Sequence, residues 1–226
     1  MTTPLILYYA PDNASLCVRL ALLELQIPFE TVLVDRAAKG QLAPAYLALN
    51  PNGLIPTLMT PQGPIYETAA ILLWLSEQNA VDFLAPRADR AEALAWLFWL
   101  SNTLHPTLRM WFYPEKYIAP AVVDTLQATT VTNLAAHFAH LETHAPWLDD
   151  HVPSALGCYL APMVRWAALY GPSQTWFDLS KYPRLRAYVI SLETRASAHE
   201  ACLAEGLGET IFSNPAIPNP PEGSAL

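Results

Sequence analysis

The chain has 226 residues, of which 53% are hydrophobic and 14% are charged, and its formal net charge at pH 7 is −8. This composition excludes an intrinsically disordered chain and allows one large domain, or two smaller ones, with a sizeable core. The acidic balance and the presence of only three lysines argue against a surface that binds nucleic acid or an anionic membrane.

Cysteine usage and targeting signals indicate the compartment. The three cysteines, Cys17, Cys158 and Cys202, are odd in number and far apart, so we expect neither a disulfide framework nor a metal site. The first residues lack the basic start and apolar core of a signal peptide, and no uncharged apolar run reaches the length of a membrane span. We therefore expect a protein of a reducing compartment, the cytoplasm, with no membrane partner.

The first third of the chain alternates strand and helix patterns. Residues 5–9 and 29–34 predict strands, and the apolar periodicity of residues 15–26 predicts a helix between them. A strand, a helix and a strand in this order form a βαβ unit, whose crossover is right-handed. A weakly signalled helix is predicted at residues 41–49.

The stretch 50–75 predicts a hairpin followed by a helix. Two short apolar runs flank the turn sequence at 60–63, which contains proline and glycine and favours a β-hairpin. Residues 69–75 are predicted to be helical, with Thr68 as a candidate N-cap. The order β-α-β-α-β-β-α is thioredoxin-like, and we assign this domain to residues 1–79.

Strand signals almost vanish beyond a predicted linker at residues 80–89. Helices are predicted at 90–112, 120–143, 154–170, 183–194 and 198–207. Pro106 stands inside the first of these helices and is expected to kink it. We assign an all-α domain to residues 90–210 and a proline-rich tail to residues 211–226. The composition of residues 214–226 predicts that they are poorly ordered.

Two details of the stretch 50–75 suggest ligand binding. A cis bond before Pro56 would turn the flanking backbone groups outward, where an extended peptide could pair with them. Glu67-Thr68 precedes a helix whose N-terminal N–H groups favour an anion, while the threonine hydroxyl suits a carboxylate and Glu67 suits an ammonium group. The alternative interpretation is a hairpin with an ordinary capped helix.

A family resemblance is carried by several motifs in order. Two of them are Asn-Pro-Asn-Gly-Leu-Ile-Pro-Thr-Leu at 50–58 and Tyr-Glu-Thr-Ala-Ala-Ile-Leu-Leu-Trp-Leu at 66–75, which resemble the glutathione-binding core of cytosolic glutathione transferases. Further motifs, at 104–108, 159–167 and 178–185, resemble bacterial members near the beta and theta-like classes. One departure is Ser154-Ala-Leu-Gly157, where the family often has a hydroxyl-x-x-Asp capping box, so only half of that box remains.

The resemblance implies a thioredoxin-like α/β N-terminal domain followed by an all-α helical-bundle C-terminal domain, with the active site between them, in a homodimer. It implies that the bond before Pro56 is cis and that Ile55 pairs with the cysteinyl backbone of glutathione. Glu67 and Thr68 would hold its γ-glutamyl group. Lys39 is the best nearby cation for its glycine carboxylate.

The helical domain would supply the pocket for an electrophile. By the resemblance, His105 and Trp166 face the cleft, and Arg109, one turn from His105, reaches the same place. The alternatives are a histidine satisfied within the core and an arginine paired at the surface.

The thiol of glutathione reacts as the thiolate, but only about 3% of this thiol is ionised at pH 7. A transferase must therefore stabilise the thiolate. A hydrogen-bond donor near a helix N-terminus would stabilise the thiolate, and the turn after the first strand is where it belongs. By the resemblance, Tyr9 is close to the position of the catalytic tyrosine in some classes of the family. Asn13 is at the position where other classes have a serine. Ser15 either donates or caps the helix. We rank Asn13 first.

The sequence lacks one residue that is characteristic of the beta class. Ala14 falls where the beta class has its catalytic cysteine, so a mixed disulfide between glutathione and the enzyme is not expected. Cys17 is interpreted as a buried structural residue rather than a nucleophile.

We therefore predict a glutathione transferase with a role in detoxification. It would use glutathione as co-substrate and no metal, and it would attack a small apolar electrophile. The alternatives are a glutathione-dependent lyase, isomerase or reductase, and a non-catalytic binding module on the same fold.

Overall fold

The N-terminal part of the chain forms a four-stranded sheet with three helices. The computed structural model describes residues 4–78, 82–86, 89–173 and 175–225. The elements of this part are β1 (Leu5–Tyr9), α1 (Ser15–Glu24), β2 (Phe29–Leu33), α2 (Pro44–Leu47), β3 (Thr57–Thr60), β4 (Gly63–Tyr66) and α3 (Thr68–Glu77). The sheet order is β2-β1-β3-β4, with β1 parallel to β2 and the other neighbours antiparallel. The predicted thioredoxin-like order is confirmed.

The rest of the chain is helical, as predicted. Its helices are α4 (Arg90–Trp99), α5 (His105–Phe112), α6 (Val123–His144), α7 (Ala155–Leu169), α8 (Pro183–Glu193) and α9 (Ala196–Glu205). A π-helical segment, Leu100–Leu104, joins α4 to α5 without a break and accommodates Pro106, which has no N–H for the helical ladder. None of the described helices is long and apolar enough to cross a membrane. Of the predicted linker and the domain boundary before it, residues 79–81 and 87–88 lie outside the described residues.

Helix α7 is the buried centre of the helical half, and its start is held by three neighbours. The Ser154 hydroxyl accepts from the Gly157 N–H over 3.1 Å. The backbone N–H groups of Ala155 and Leu156, the first two residues of α7, donate to the carbonyls of Phe83 and Leu84. The segment between the two halves thus satisfies helix donors that a lone capping residue leaves unpaired.

Gly157 occupies the position where the family often has aspartate, and the structure explains the difference. A Cβ atom at Gly157 would lie 2.2 Å from the hydroxyl oxygen of Tyr188, which is fully buried. The position therefore has no room for a side chain, and the half-empty capping box is a packing requirement of α7 against α8.

A buried ion pair ties the turn after β1 to α7. The Nε atom of Arg165 lies 2.9 Å from both carboxylate oxygens of Asp12, and neither side chain is exposed to solvent. The indole N–H of Trp166 and the hydroxyl of Tyr170 also donate to this carboxylate. The remaining Arg165 donors bind backbone carbonyls, those of Leu207, Ile211 and Ala216.

A second buried acid, Glu205, joins the same turn to the end of α9. It accepts from the backbone N–H of Asp12 over 2.8 Å and from Arg19 over 2.7 Å. Burial raises the pKa of Glu205 to about 7, even with Arg19 beside it. The turn after β1 is therefore fixed by groups from both α1 and α9.

The prediction that residues 214–226 are poorly ordered is wrong for the described residues 214–225. Just before them, Ile211 and Phe212 are each only 1% exposed, and within them the carbonyl of Ala216 accepts from buried Arg165. Farther along, the Tyr9 hydroxyl donates to the carboxylate of Glu222, and Arg36 donates to the carbonyl of Ala225. The tail is held because buried Arg165 donates to the carbonyls of Ile211 and Ala216 and because the side chains of Ile211 and Phe212 reach the core.

We expect Gly157→Ala to destabilise the protein by about 1–3 kcal/mol, the usual cost of overpacking a core. Tyr188→Phe removes the atom nearest to the added methyl group, so the double variant should recover part of that loss. Urea unfolding of the unmodified protein, the two single variants and the double variant measures the coupling free energy between positions 157 and 188. Additive effects of the two substitutions would contradict the packing explanation.

We expect Asp12→Asn to cost about 3–5 kcal/mol in the free energy of unfolding, because it leaves the Arg165 charge buried without a partner. Asparagine suits the positive φ of 47° at this position, so the backbone is not the cause. Urea unfolding of Asp12→Asn and of the unmodified protein measures this loss.

The matched control for this prediction is Asp149→Asn. This aspartate also pairs with an arginine, Arg184, but its side chain is 65% exposed, so removing its charge should cost below about 1 kcal/mol. Equal losses in Asp12→Asn and Asp149→Asn would show that burial of the first pair does not matter.

Candidate active site

A cleft of about 1040 Å³ lies between the sheet domain and helices α4, α5 and α7. Both halves of the chain contribute to its walls. The predicted site residues that line it are Asn13, Lys39, Ile55, Pro56, Glu67, Thr68, His105, Arg109 and Trp166. Tyr9 and Ser15 are not among the lining residues. The structure thus brings together nine of the eleven candidates.

The Ile55–Pro56 peptide bond is cis, as the resemblance implies. The preceding carbonyl, that of Leu54, accepts from the Tyr46 hydroxyl and from the Asn50 amide, each over 2.7 Å. Both donors are themselves buried. They fix the loop so that Ile55 stands on the cleft wall just ahead of β3, beyond the end of the ladder between β3 and β4.

The start of α3 supplies a polar corner of the cleft. Glu67 has a positive φ of 71°, which is uncommon for a residue with a side chain and is often found at functional sites. Because the backbone turns there, Glu67 rather than Thr68 is the N-cap, and the prediction of Thr68 as N-cap is wrong. Asn52 donates to the exposed Glu67 carboxylate over 3.3 Å, while Thr68 is buried at the cleft wall.

The three candidate donors in the turn after β1 differ in their surroundings. The Tyr9 hydroxyl is bonded to Glu222, and burial together with this carboxylate raises the pKa of Tyr9. The Ser15 hydroxyl is fully buried and donates to the carbonyl of Ala10 over 3.0 Å. Asn13 is half-buried, lines the cleft and accepts from Leu16 N–H through its own carbonyl at the start of α1.

None of the three cysteines, all of which the structure describes, lines the cleft. Cys17 is fully buried, its sulfur lies 3.8 Å from the carbonyl oxygen of Tyr159, and burial raises the pKa of its thiol. The expectation of a buried Cys17 is confirmed. Ala14 lines the cleft beside Asn13.

The helical wall of the cleft carries His105 and Trp166. The Nδ1 atom of His105 lies 3.0 Å from the Tyr159 hydroxyl, and its ring centroid lies 5.7 Å from that of Trp166. Burial, and to a lesser degree the charge of Arg109, lowers the pKa of His105 to about 4. This imidazole is therefore neutral at physiological pH and acts there only through hydrogen bonds and packing.

Sequence reasoning missed several residues that position the site. Asp12 gave no signal, because a lone acid in a turn has no local partner and its arginine lies 153 positions away. Tyr46 and Asn50, which hold the loop before Ile55, act through single contacts that no periodic pattern records. Asn50 opens a recognised motif and was the one of the three that local sequence could have found.

Comparison with known proteins places these features in a family. The model for the glutathione S-transferase N-terminal domain matches residues 14–78. A glutathione S-transferase of Xanthomonas campestris pv. campestris, GST-4.5, is 29% identical over 208 residues, which are 89% of this chain and 98% of that protein. The disulfide-bond oxidoreductase YfcG of Escherichia coli is 25% identical over 213 residues, 90% of this chain and 96% of that protein.

Among solved structures, a sphingomonad glutathione S-transferase complexed with glutathione has a TM-score of 0.73 and 30% identity, over 90% of this chain and all of that one. The sequence similarity, the shared fold and the cleft geometry agree. We conclude that the chain belongs to the glutathione S-transferase family and is a glutathione S-transferase-like enzyme.

Proposed function

We propose that the protein binds glutathione in the cleft and activates its thiol for attack on a small electrophile, with Asn13 as the donor to the sulfur. The observation that carries this proposal is the position of Asn13, which alone of the three candidate donors lines the cleft. Tyr9 and Ser15 already use their hydroxyls within the protein. The sphingomonad transferase, whose structure holds glutathione, supports the choice of ligand.

The tripeptide would lie along the N-terminal wall. The backbone of Ile55, ahead of cis Pro56, would pair with the cysteinyl residue. Glu67 and Thr68 would receive the γ-glutamyl group, because the helix N-terminus and the threonine hydroxyl suit its carboxylate and Glu67 suits its ammonium group. Lys39 would balance the glycine carboxylate.

The chemical task is to favour thiolate over thiol. Lowering a thiol pKa by about two units corresponds to roughly 2.7 kcal/mol. A neutral amide donor at the N-terminus of α1 contributes without competing for the proton, and the partial positive charge of the helix end acts in the same direction. With Ala14 beside it and Cys17 buried, the proposed mechanism uses no protein cysteine.

The electrophile would occupy the helical side of the cleft. Its walls there are largely apolar or aromatic and include Leu97, Phe98, Pro106, Phe112 and Trp166. His105 and Arg109 add polar groups to this wall. Assembly as a homodimer, a cytoplasmic location and a role in detoxification complete the proposal and follow from the family.

A second candidate is glutathione-dependent disulfide reduction, favoured by the similarity to YfcG over 90% of this chain. In that reaction the glutathione thiolate attacks a disulfide sulfur, forms a mixed disulfide and releases a thiol. Lyase and isomerase reactions remain alternatives on the same site. A non-catalytic binding module is disfavoured by the retention of cis Pro56 and of Glu67 on the cleft wall.

We expect Glu67→Ala to weaken glutathione binding by about 1.5–3 kcal/mol, the range for a hydrogen bond to a charged group. Glu77→Ala is the matched control, since it removes the same side chain from the far end of α3, where Glu77 pairs with Arg90 at the surface. Titration calorimetry gives both affinities. Unchanged affinity in Glu67→Ala would refute this assignment.

We expect Asn13→Ala to raise the pKa of the bound thiol and to lower kcat about tenfold to a thousandfold, the scale for losing one preorganised donor. Glutathione affinity should change little, because the tripeptide is held elsewhere. The measurement is the ultraviolet thiolate absorbance of the complex against pH.

Tyr9→Phe and Ser15→Ala are the controls for this measurement, and neither should move the titration. A shift in one of them with none in Asn13→Ala would identify a hydroxyl donor instead. If none of the three substitutions shifts the thiol titration from that of the unmodified protein, backbone amides or water stabilise the thiolate.

A further inference from the structure

Two cations of the cleft wall contact one aromatic residue, Tyr113, and a third cation of the wall stands one helical turn before it. Arg36 donates to the Tyr113 hydroxyl over 3.0 Å, and the Lys116 Nζ atom lies 4.2 Å from the centroid of its ring. Arg109 stands one helical turn earlier, and its carbonyl accepts from the Tyr113 N–H. All four residues line the cleft. We call them the Tyr113 cluster.

The charges of this cluster are not neutralised within the part of the chain that the structure describes. No described carboxylate lies within ion-pair distance of Arg36, Arg109 or Lys116. By contrast, five other arginines each pair with an acid, namely Arg19, Arg90, Arg165, Arg184 and Arg195. The chain has 20 acidic residues against 12 basic ones, so a group of cations that have no carboxylate partner among the described residues is not a consequence of composition.

The acids of the cleft wall do not offset this charge. Asp12 is held by Arg165, and Glu67 lies at the start of α3, where it is bonded to Asn52. Burial is the main cause of the lowered pKa of His105, and the charge of Arg109 lowers it further. Apart from Lys39, which is proposed above for the glycine carboxylate, the described lysines and arginines that line the cleft are those of the Tyr113 cluster, so a second anion would find its partners there.

Most of the cluster belongs to the side of the cleft where the electrophile would lie. Arg109 is part of α5, and Tyr113 and Lys116 follow that helix directly. The groups proposed above for glutathione, from Lys39 to Thr68, all come from the N-terminal domain. Arg36 reaches across from that domain to the Tyr113 hydroxyl.

We infer that the Tyr113 cluster is an anion subsite of the electrophile pocket, and that the electrophile carries a carboxylate on an apolar body. This inference rests on the glutathione site proposed above. The planar guanidinium of arginine matches the two oxygens of a carboxylate, and the lysine adds a point charge. Phe112, Tyr117 and Trp166 line the same cleft and offer aromatic surface for the body.

The test compares two ligands that differ only in charge, S-(4-carboxybenzyl)glutathione and S-(4-carbamoylbenzyl)glutathione. Calorimetry at pH 7 should show the carboxylate binding about five- to fiftyfold more tightly, as expected for a charge-assisted contact that is partly open to solvent. The preference should shrink as salt rises from about 20 mM to about 200 mM, because salt screens exposed charges.

The ratio of the two affinities is then measured in Arg109→Gln and Lys116→Gln, where it should fall toward one. Lys181→Gln is the matched control, since Lys181 is exposed and does not line the cleft. In that control the ratio should match that of the unmodified protein.

The outcomes separate the inference from the proposed function. Equal affinity for the two ligands in the unmodified protein would overturn the anion subsite and leave the glutathione site standing. Failure of both ligands and of glutathione to bind would overturn the glutathione site and the inference with it. If Arg109→Gln weakens glutathione as strongly as the carboxylated ligand, the cluster holds the tripeptide, and the inference is wrong.

Discussion

The buried ion pair between Asp12 and Arg165 is the interaction on which the position of the candidate donor depends. Removing two charges from water costs several kcal/mol for each, so such a pair persists only with good geometry and further hydrogen bonds. Trp166, Tyr170 and three carbonyls provide them here. Asn13 follows Asp12 in the chain, so the same pair fixes Asn13 relative to the helical wall of the cleft.

The features that sequence predicted well are contiguous and local. The hairpin, the helix after it and the residues before Pro56 and around Glu67 lie within one short stretch, where turn residues and apolar runs act on near neighbours. The helices followed from apolar periodicity, because each buries one face against the same core. Most of the N-terminal wall of the cleft was therefore predictable, since most of the residues proposed for glutathione belong to that single stretch.

The features that sequence did not predict depend on distant partners. Asp12 and Arg165 are 153 positions apart, and Tyr9 and Glu222 are 213 positions apart, so no local pattern connects them. The empty half of the capping box at Gly157 is explained only by Tyr188 on another helix. The order of the tail was mispredicted because proline-rich composition describes how a segment behaves alone, whereas in the folded chain buried Arg165 donates to the carbonyls of Ile211 and Ala216.

The long sequence separation between these partners has a consequence for the order in which parts of the chain fold during synthesis. A ribosome releases residues 9–15 early, but the groups that hold this turn come from α7, from Glu205 and from Glu222. The first domain can fold as it emerges, as N-terminal domains generally do. The turn that carries the candidate donor Asn13, however, would keep an unpaired Asp12 during most of translation. This turn therefore reaches its final geometry late, after the last helix has docked on a domain that is otherwise already formed.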